Sequence, residues 1–177
     1  MQRPRLYLVV VMILAAAASR LILHPPNFTP IGAMALFGGA YFADRRLAFL
    51  VPLAAMFLSD IFIGLHSLMP VVYACFAAIV CMGFWLRGGR RALPIAGAAL
   101  ASSVFFFMAT NFGMWALGSW YPKTLPGLVA CYVAGIPWFQ HTLLGDMFYT
   151  AALFGGFWLA ERYFPALAEA HSDAGRH

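Results

Sequence analysis

Arg20, Asp60 and Asp146 lie within or at the end of long apolar runs, and an ionisable group at membrane depth is costly unless paired or wetted. Groups suited to binding stand near them in the chain. His24 and Asn27 belong to the string His24-Pro25-Pro26-Asn27-Phe28-Thr29-Pro30, His66 follows Asp60, Asn111 sits in Thr110-Asn111-Phe112-Gly113, and His141 precedes Asp146. Tyr73, Trp115 and Trp138 add a hydroxyl and ring surfaces, while Tyr149 and Thr150 share a helical face with Asp146. A few polar groups converging among aromatic rings are typical of a small-molecule pocket.

Each element also has a plainer reading. Arg20 with Asp60 or Asp146 is equally an ion pair that fixes helix positions, and the Pro-rich string is either a lid or a rigid connector, because X-Pro steps hold the chain extended. His24, His66 and His141 allow a metal site, although no HxxH or HExxH spacing supports one. Cys75, Cys81 and Cys131 lie in apolar segments without CxxC spacing and read as buried thiols. Cys75, next but one to Tyr73, falls at the depth of the expected pocket, where a soft thiolate suits a soft metal. Cys81, six residues on and about 240° further round a helix, cannot join it. No GxSxG, HExxH or phosphate-loop sequence occurs, so no catalytic residue is assigned and this chain carries no ATP-binding motif of its own.

The elements that must position these residues follow from composition. The chain has 177 residues, 63% hydrophobic and 10% charged, with a mean hydropathy of +0.82. A soluble domain needs roughly 25% charged residues, so a soluble globular protein is excluded. Spans of about 20 apolar residues are approached or reached at 6–23, 47–65, 69–86, 93–118 and 143–160. A Gly/Ala-rich stretch at 31–43 reads as a short span sheltered by protein, and 125–139, bounded by Pro126 and Pro137, as a re-entrant or interfacial helix. The expectation is an all-α integral membrane protein, a bundle of six transmembrane helices over residues 1–165 with a short disordered tail at 166–177.

The basic residues give an orientation, since cytoplasmic loops hold the Lys and Arg excess. With the N-terminus inside, Arg3, Arg5, Arg45, Arg46, Arg87, Arg90, Arg91, Arg162 and Arg176 fall inside, and Arg20 and Lys123 outside, which accounts for all 11 basic residues. Both termini are then cytoplasmic, and the basic pI of about 9.5 reflects topology and anionic lipid, not nucleic acid. All the polar candidates gather at the outer side, and the inner halves of the spans show no comparable group. Residues 1–20 also resemble a secretory signal, with Ala15 to Ala18 as a cleavage-like run, but the apolar stretch continues to Leu23. Small residues recur every four positions at Ala35, Gly39 and Ala43, at Ala15 and Ser19, at Gly97 and Ala101, and at Ala151 and Gly155, for helix packing or for docking a partner.

The string from His24 to Pro30, the Gly38-Gly39-Ala40-Tyr41-Phe42 stretch, Leu58-Ser59-Asp60, Thr110 to Gly113 and Leu144-Gly145-Asp146 together resemble DUF6580, a bacterial family of small membrane proteins described as transport proteins of unknown function. That family in turn is similar to the substrate-binding S-components of energy-coupling-factor vitamin transporters. The resemblance implies six spans, cytoplasmic termini, and a loop after the first span that covers an outward pocket. It further implies docking of the first helix on a membrane coupling subunit with ATPases, and Ala15 and Ser19 loosely match that docking pattern. In solitary S-component-like proteins for cobalamin a cysteine coordinates cobalt, and Cys75 is the candidate for that axial position here. Riboflavin, thiamin and biotin remain alternative ligands, and no resident cofactor is required.

The expected function is uptake of a small molecule, such as a vitamin, across the bacterial inner membrane. Its binding set is Arg20, His24, Asn27, Asp60, His66, Tyr73, Cys75, Asn111, Trp115, Trp138, His141 and Asp146. A non-transporting scaffold of an envelope complex, and a membrane enzyme using a His/Asp acid–base pair, are the alternatives.

Overall fold

The computed structural model describes residues 3–22, 25–89, 91–164 and 167. His24, Arg90 and the tail after Phe164, Leu167 apart, lie outside the described residues. The helices are α1 (Arg3–Ser19), α2 (Ile31–Tyr41), α3 (Arg45–Ile63), α4 (Met69–Phe84), α5 (Ala92–Leu117) and α6 (Leu125–Thr150), which runs on through a π-turn (Ala151–Gly155) into α7 (Gly156–Tyr163). The protein is all-helical in its described residues. Among the described residues three helices are long and apolar enough to cross a membrane, at Arg45–Ile63, Ala92–Leu117 and Leu125–Tyr163, and two shorter apolar ones are Ile31–Tyr41 and Met69–Phe84.

α2 is the centre of the bundle. Its residues from Ile31 to Gly39 are all buried, and it packs on α1, α3, α4, α5 and α6. Its 11 residues rise only about 16 Å, half of a hydrocarbon core of about 30 Å. Both ends of α2 therefore sit inside protein, where free backbone N–H and C=O groups would be costly. Side chains from other helices satisfy them. The Asp146 carboxylate accepts a hydrogen bond from the backbone of Ala33 in the first turn. At the other end, Arg87 donates through Nε to the Gly39 carbonyl (3.0 Å) and through Nη2 to the Phe42 carbonyl (2.8 Å). An anion at the N-terminus and a cation at the C-terminus match the helix dipole.

Glycine lets α2 and α4 touch backbone to backbone. A Cβ on Gly39 would collide with the Val80 carbonyl oxygen and stand 2.9 Å from the Gly83 Cα, and one on Gly83 would meet the Leu36 carbonyl oxygen at 2.5 Å. The Ala35 and Gly39 repeat thus packs inside the molecule, whereas Gly97 faces open space and Ala15, Ala43, Ala101 and Ala151 are exposed.

The segment after Lys123 departs from the expected separate re-entrant helix. Thr124 caps α6 by accepting from the Gly127 N–H (3.3 Å), Pro126 occupies the first turn, and the helix continues through Pro137 to Thr150 and on to Tyr163. An interior proline removes one hydrogen bond and bends a helix, but α5 packs along α6 and holds both halves in one course. The 39 residues span about 58 Å, well beyond the hydrocarbon thickness.

A second correction concerns the far end of the bundle, which does hold buried charge. Arg5 Nη2 lies 3.4 Å from Glu161 Oε1, joining α1 to α7, with both side chains under one-tenth exposed. The Arg5 guanidinium also lies over the rings of Phe157 (5.4 Å) and Tyr41 (5.9 Å). A cation packed on aromatic faces and paired with a carboxylate is stable where either charge alone would not be.

Candidate functional site

A cavity of about 540 Å³ opens at the end of the bundle opposite Arg5, between the 25–30 loop, the turn at 66–68, α4, α5 and α6. Helical spacing supplies its walls. α4 presents Val72, Phe76 and Ile79, α5 presents Phe106, Phe107, Thr110, Asn111 and Met114, and α6 presents Gly135, Trp138, Phe139, Thr142 and Asp146. These sets recur at three- and four-residue intervals, so each is one face of its helix. Phe76 and Phe106 stack with centroids 5.0 Å apart, and Phe107 lies 4.8 Å from Phe139, which gives the cavity aromatic walls.

The loop before α2 is both connector and wall. Phe28 donates its backbone N–H to the Pro25 carbonyl (3.1 Å), and Asn27 takes the left-handed conformation at φ 63°. The Phe28 ring packs at 5.8 Å against both Phe148 and Tyr149. Gly145 makes this possible, because a Cβ there would stand 2.9 Å from the Thr29 nitrogen. Held down in this way, the loop turns Asn27 and Thr29 toward the cavity.

Two buried polar networks support the site. In the first, Arg20 at the end of α1 donates through Nη2 to Asp60 Oδ1 (2.8 Å) and through Nη1 to the Ser59 hydroxyl and the Met56 carbonyl, while the Tyr73 hydroxyl donates to Asp60 Oδ2 (2.8 Å). Arg20 and Asp60 side chains are each 9% exposed. Arg20 Nε is buried without a hydrogen-bond partner among the described residues, and Arg20 is the member of this network that lines the cavity. In the second network, Asp146 Oδ2 accepts from Ser103 Oγ (2.6 Å) beside the bond from Ala33. Gly32 allows the carboxylate to reach the start of α2, since a Cβ there would collide with it.

Of the residues expected at the site, Arg20, Asn27, His66, Asn111, Trp138 and Asp146 come together around the cavity. Asp60 and Tyr73 do not line it and stand behind Arg20. Cys75 is buried and is not among the residues that line the cavity, although it stands three residues after Val72 and four before Ile79 on the same side of α4. Trp115 is drawn away to close the α5–α6 hairpin: its indole N–H donates to the Pro122 carbonyl (2.8 Å), and the Lys123 ammonium sits over its ring (5.7 Å) while bonding the Trp115 and Gly118 carbonyls. His141 is not among the lining residues, and its Nδ1 is buried without a partner among the described residues. No group of three metal-ligating side chains forms among the described residues. His24 lies outside them.

Sequence reasoning missed Ser59, Ser103 and Arg87 as the groups that hold the charged residues and the central helix. Ser59 had a visible signal in its place beside Asp60. Ser103 and Arg87 had none, because their partners lie 43 and 45 to 48 residues away.

The sequence profile of the family of unknown function DUF6580 matches residues 1–167. The chain belongs to DUF6580. No curated protein and no solved structure matches it. Membership covers all the elements of the cavity and adds no activity, so the chemical reading of the DUF6580 site rests on its own geometry.

Proposed function

We propose that the protein binds a small molecule in the cavity between α4, α5, α6 and the 25–30 loop and serves in its uptake across the bacterial inner membrane. The observation that carries this reading is the cavity itself. Residues far apart in sequence, Arg20, Asn27, His66, Asn111, Trp138 and Asp146, converge on one space of about 540 Å³ with aromatic walls, within the range of small-molecule sites. In this reading the chain crosses the membrane six times with both termini in the cytoplasm. The distribution of basic residues supports that orientation, because Arg45, Arg46, Arg87, Arg91 and Arg162 sit at helix ends remote from the cavity. The cavity then opens outward, and the ligand is a vitamin-sized compound with a flat ring for the Phe and Trp walls and polar groups for Asn111 and Asp146. The place of Cys75 off the cavity gives no support to a cobalt-ligating role. Among the described residues Arg20 forms its ion pair with Asp60 and borders the open space of the cavity, which favours a binding protein over a scaffold whose polar groups satisfy one another. Release inward would follow reorientation of the bundle, driven by a coupling subunit with ATPases, since this chain carries no ATP-binding motif.

The test is mass spectrometry of small molecules extracted from the purified protein, with an absorption spectrum to detect a corrin or flavin. One compound in near-stoichiometric amount is expected from the wild type. It should be lost from Thr110→Trp, which fills the cavity, and kept in Gly97→Ala, which alters an open face of α5. A ligand retained by a folded Thr110→Trp protein would place the binding elsewhere and refute the reading.

A further inference from the structure

At the other end of the bundle α5 and α6 separate. They touch where Ser103 bonds Asp146, and beyond that point α5 borders the gap with Ala92 and Ala96 beside Ile95. The opposite wall is widened by the π-turn at Ala151–Gly155, an irregularity that recurs at functional sites. The result is a cleft of about 490 Å³ lined by Tyr41, Ile95, Met147, Phe154 and Trp158 with the small residues between them. Along α6 and α7 it runs from Met147 to Trp158, about 16 Å at helical rise.

The cleft ends in a basic rim. Arg91, the exposed N-cap residue of α5, adjoins the lining residue Ala92, and the Arg162 guanidinium lies 5.6 Å over the ring of Trp158. No carboxylate of the described residues pairs with either arginine. We propose that this cleft binds an anionic phospholipid, with an acyl chain between α5 and the π-turn and the phosphate between Arg91 and Arg162. The proposal rests on the chain being membrane-embedded and is independent of the cavity at the other end.

Charge argues for that occupant. Two unpaired cations at the mouth of an apolar slot complement a phosphate on a hydrocarbon chain, as basic pockets between membrane helices do for anionic headgroups.

The experiment measures quenching of tryptophan fluorescence in nanodiscs by phosphatidylglycerol or phosphatidylcholine with brominated acyl chains. Subtracting the Trp158→Phe variant isolates the cleft signal from the other tryptophans. Phosphatidylglycerol should quench Trp158 at a mole fraction roughly thirty-fold lower than phosphatidylcholine, at about fivefold per arginine. The preference should vanish in the Arg91→Gln/Arg162→Gln double variant, whose changes are at exposed positions. In Ala96→Phe, with both arginines kept, quenching by phosphatidylglycerol should fall to the phosphatidylcholine level. Equal quenching by the two lipids in the wild type means annular lipid only and overturns the proposal. So does a preference that survives the double variant. Loss of quenching on adding millimolar inorganic phosphate would make the rim a free-anion site, and a dimer in native mass spectra that Ala96→Phe abolishes would make a second copy the occupant; either result overturns the lipid.

Discussion

Asp60→Ala removes one partner from a buried ion pair and exposes what Arg20 costs when uncompensated. In the native protein the Arg20 guanidinium has a carboxylate, a hydroxyl and a carbonyl as acceptors, and its side chain is 9% exposed. Removing one partner of a buried pair costs about 3–5 kcal/mol. Ser59 and the Met56 carbonyl remain, which favours the lower end. Tyr73 loses its acceptor at the same time, adding about 1 kcal/mol. The sum of about 4 kcal/mol corresponds to a fall of roughly 8–16 °C in Tm for a domain of this size. The assay is thermal unfolding in detergent followed by size-exclusion fluorescence, on Asp60→Ala, Arg20→Met and the Arg20→Met/Asp60→Leu double variant. The double variant should recover most of the stability, because it leaves no unpaired charge. It should still fail to bind the cavity ligand, because Arg20 lines the cavity and Asp60 does not. A fall below about 2 °C for Asp60→Ala, or a double variant no more stable than the worse single one, would refute the reasoning.

Further outcomes follow from the same geometry. Gly39→Ala should abolish folded protein on size exclusion, because its Cβ would meet the backbone of Val80 and Gly83, which cannot yield as a side chain can, while Gly97→Ala should lose nothing. Arg87→Ala should cost about 3 kcal/mol in thermal unfolding, since two charge-assisted hydrogen bonds to the end of α2 are lost; Arg87→Lys should recover only part, lacking the fork that reaches both carbonyls. Glu161→Gln should destabilise by about 2 kcal/mol by leaving Arg5 charged and buried without its carboxylate. Asn111→Ala should weaken ligand binding in equilibrium dialysis by about tenfold, with a Tm change under about 3 °C, because its amide borders the cavity and, among the described residues, donates to the Phe107 carbonyl of its own helix.

The helices were legible to different degrees, and the reasons are local. α3, α5 and the later part of α6 announce themselves as long apolar runs, and the sheltered α2 was legible as a Gly/Ala-rich stretch too short to cross alone. The single course of α6 was not, because Pro126 and Pro137 are ordinary stop signals. One of them merely begins the helix, and the other is carried by packing against α5. Within the site, Arg20, Asn27, His66, Asn111, Trp138 and Asp146 were recognisable as polar or aromatic residues near one end of their apolar segments. Trp115 and His141 shared that depth yet do not line the cavity, since depth along a helix follows from sequence position while azimuth depends on which neighbour the helix meets; Cys75, on the lining side of α4, is buried without reaching the space.

Composition by itself determined that this protein belongs in a membrane, because a chain with one charged residue in ten cannot cover a soluble surface. Sequence also marked the few polar residues whose burial needed a reason. Which partner supplied that reason was decided only by tertiary structure. Asp146 went to the start of α2 and Ser103, Arg20 to Asp60, Arg87 to the end of α2, and Arg5 to Glu161. Inside a low-dielectric bundle every charge and every helix end must find a complement, and the complement is chosen by distance in space, which one-dimensional spacing does not record.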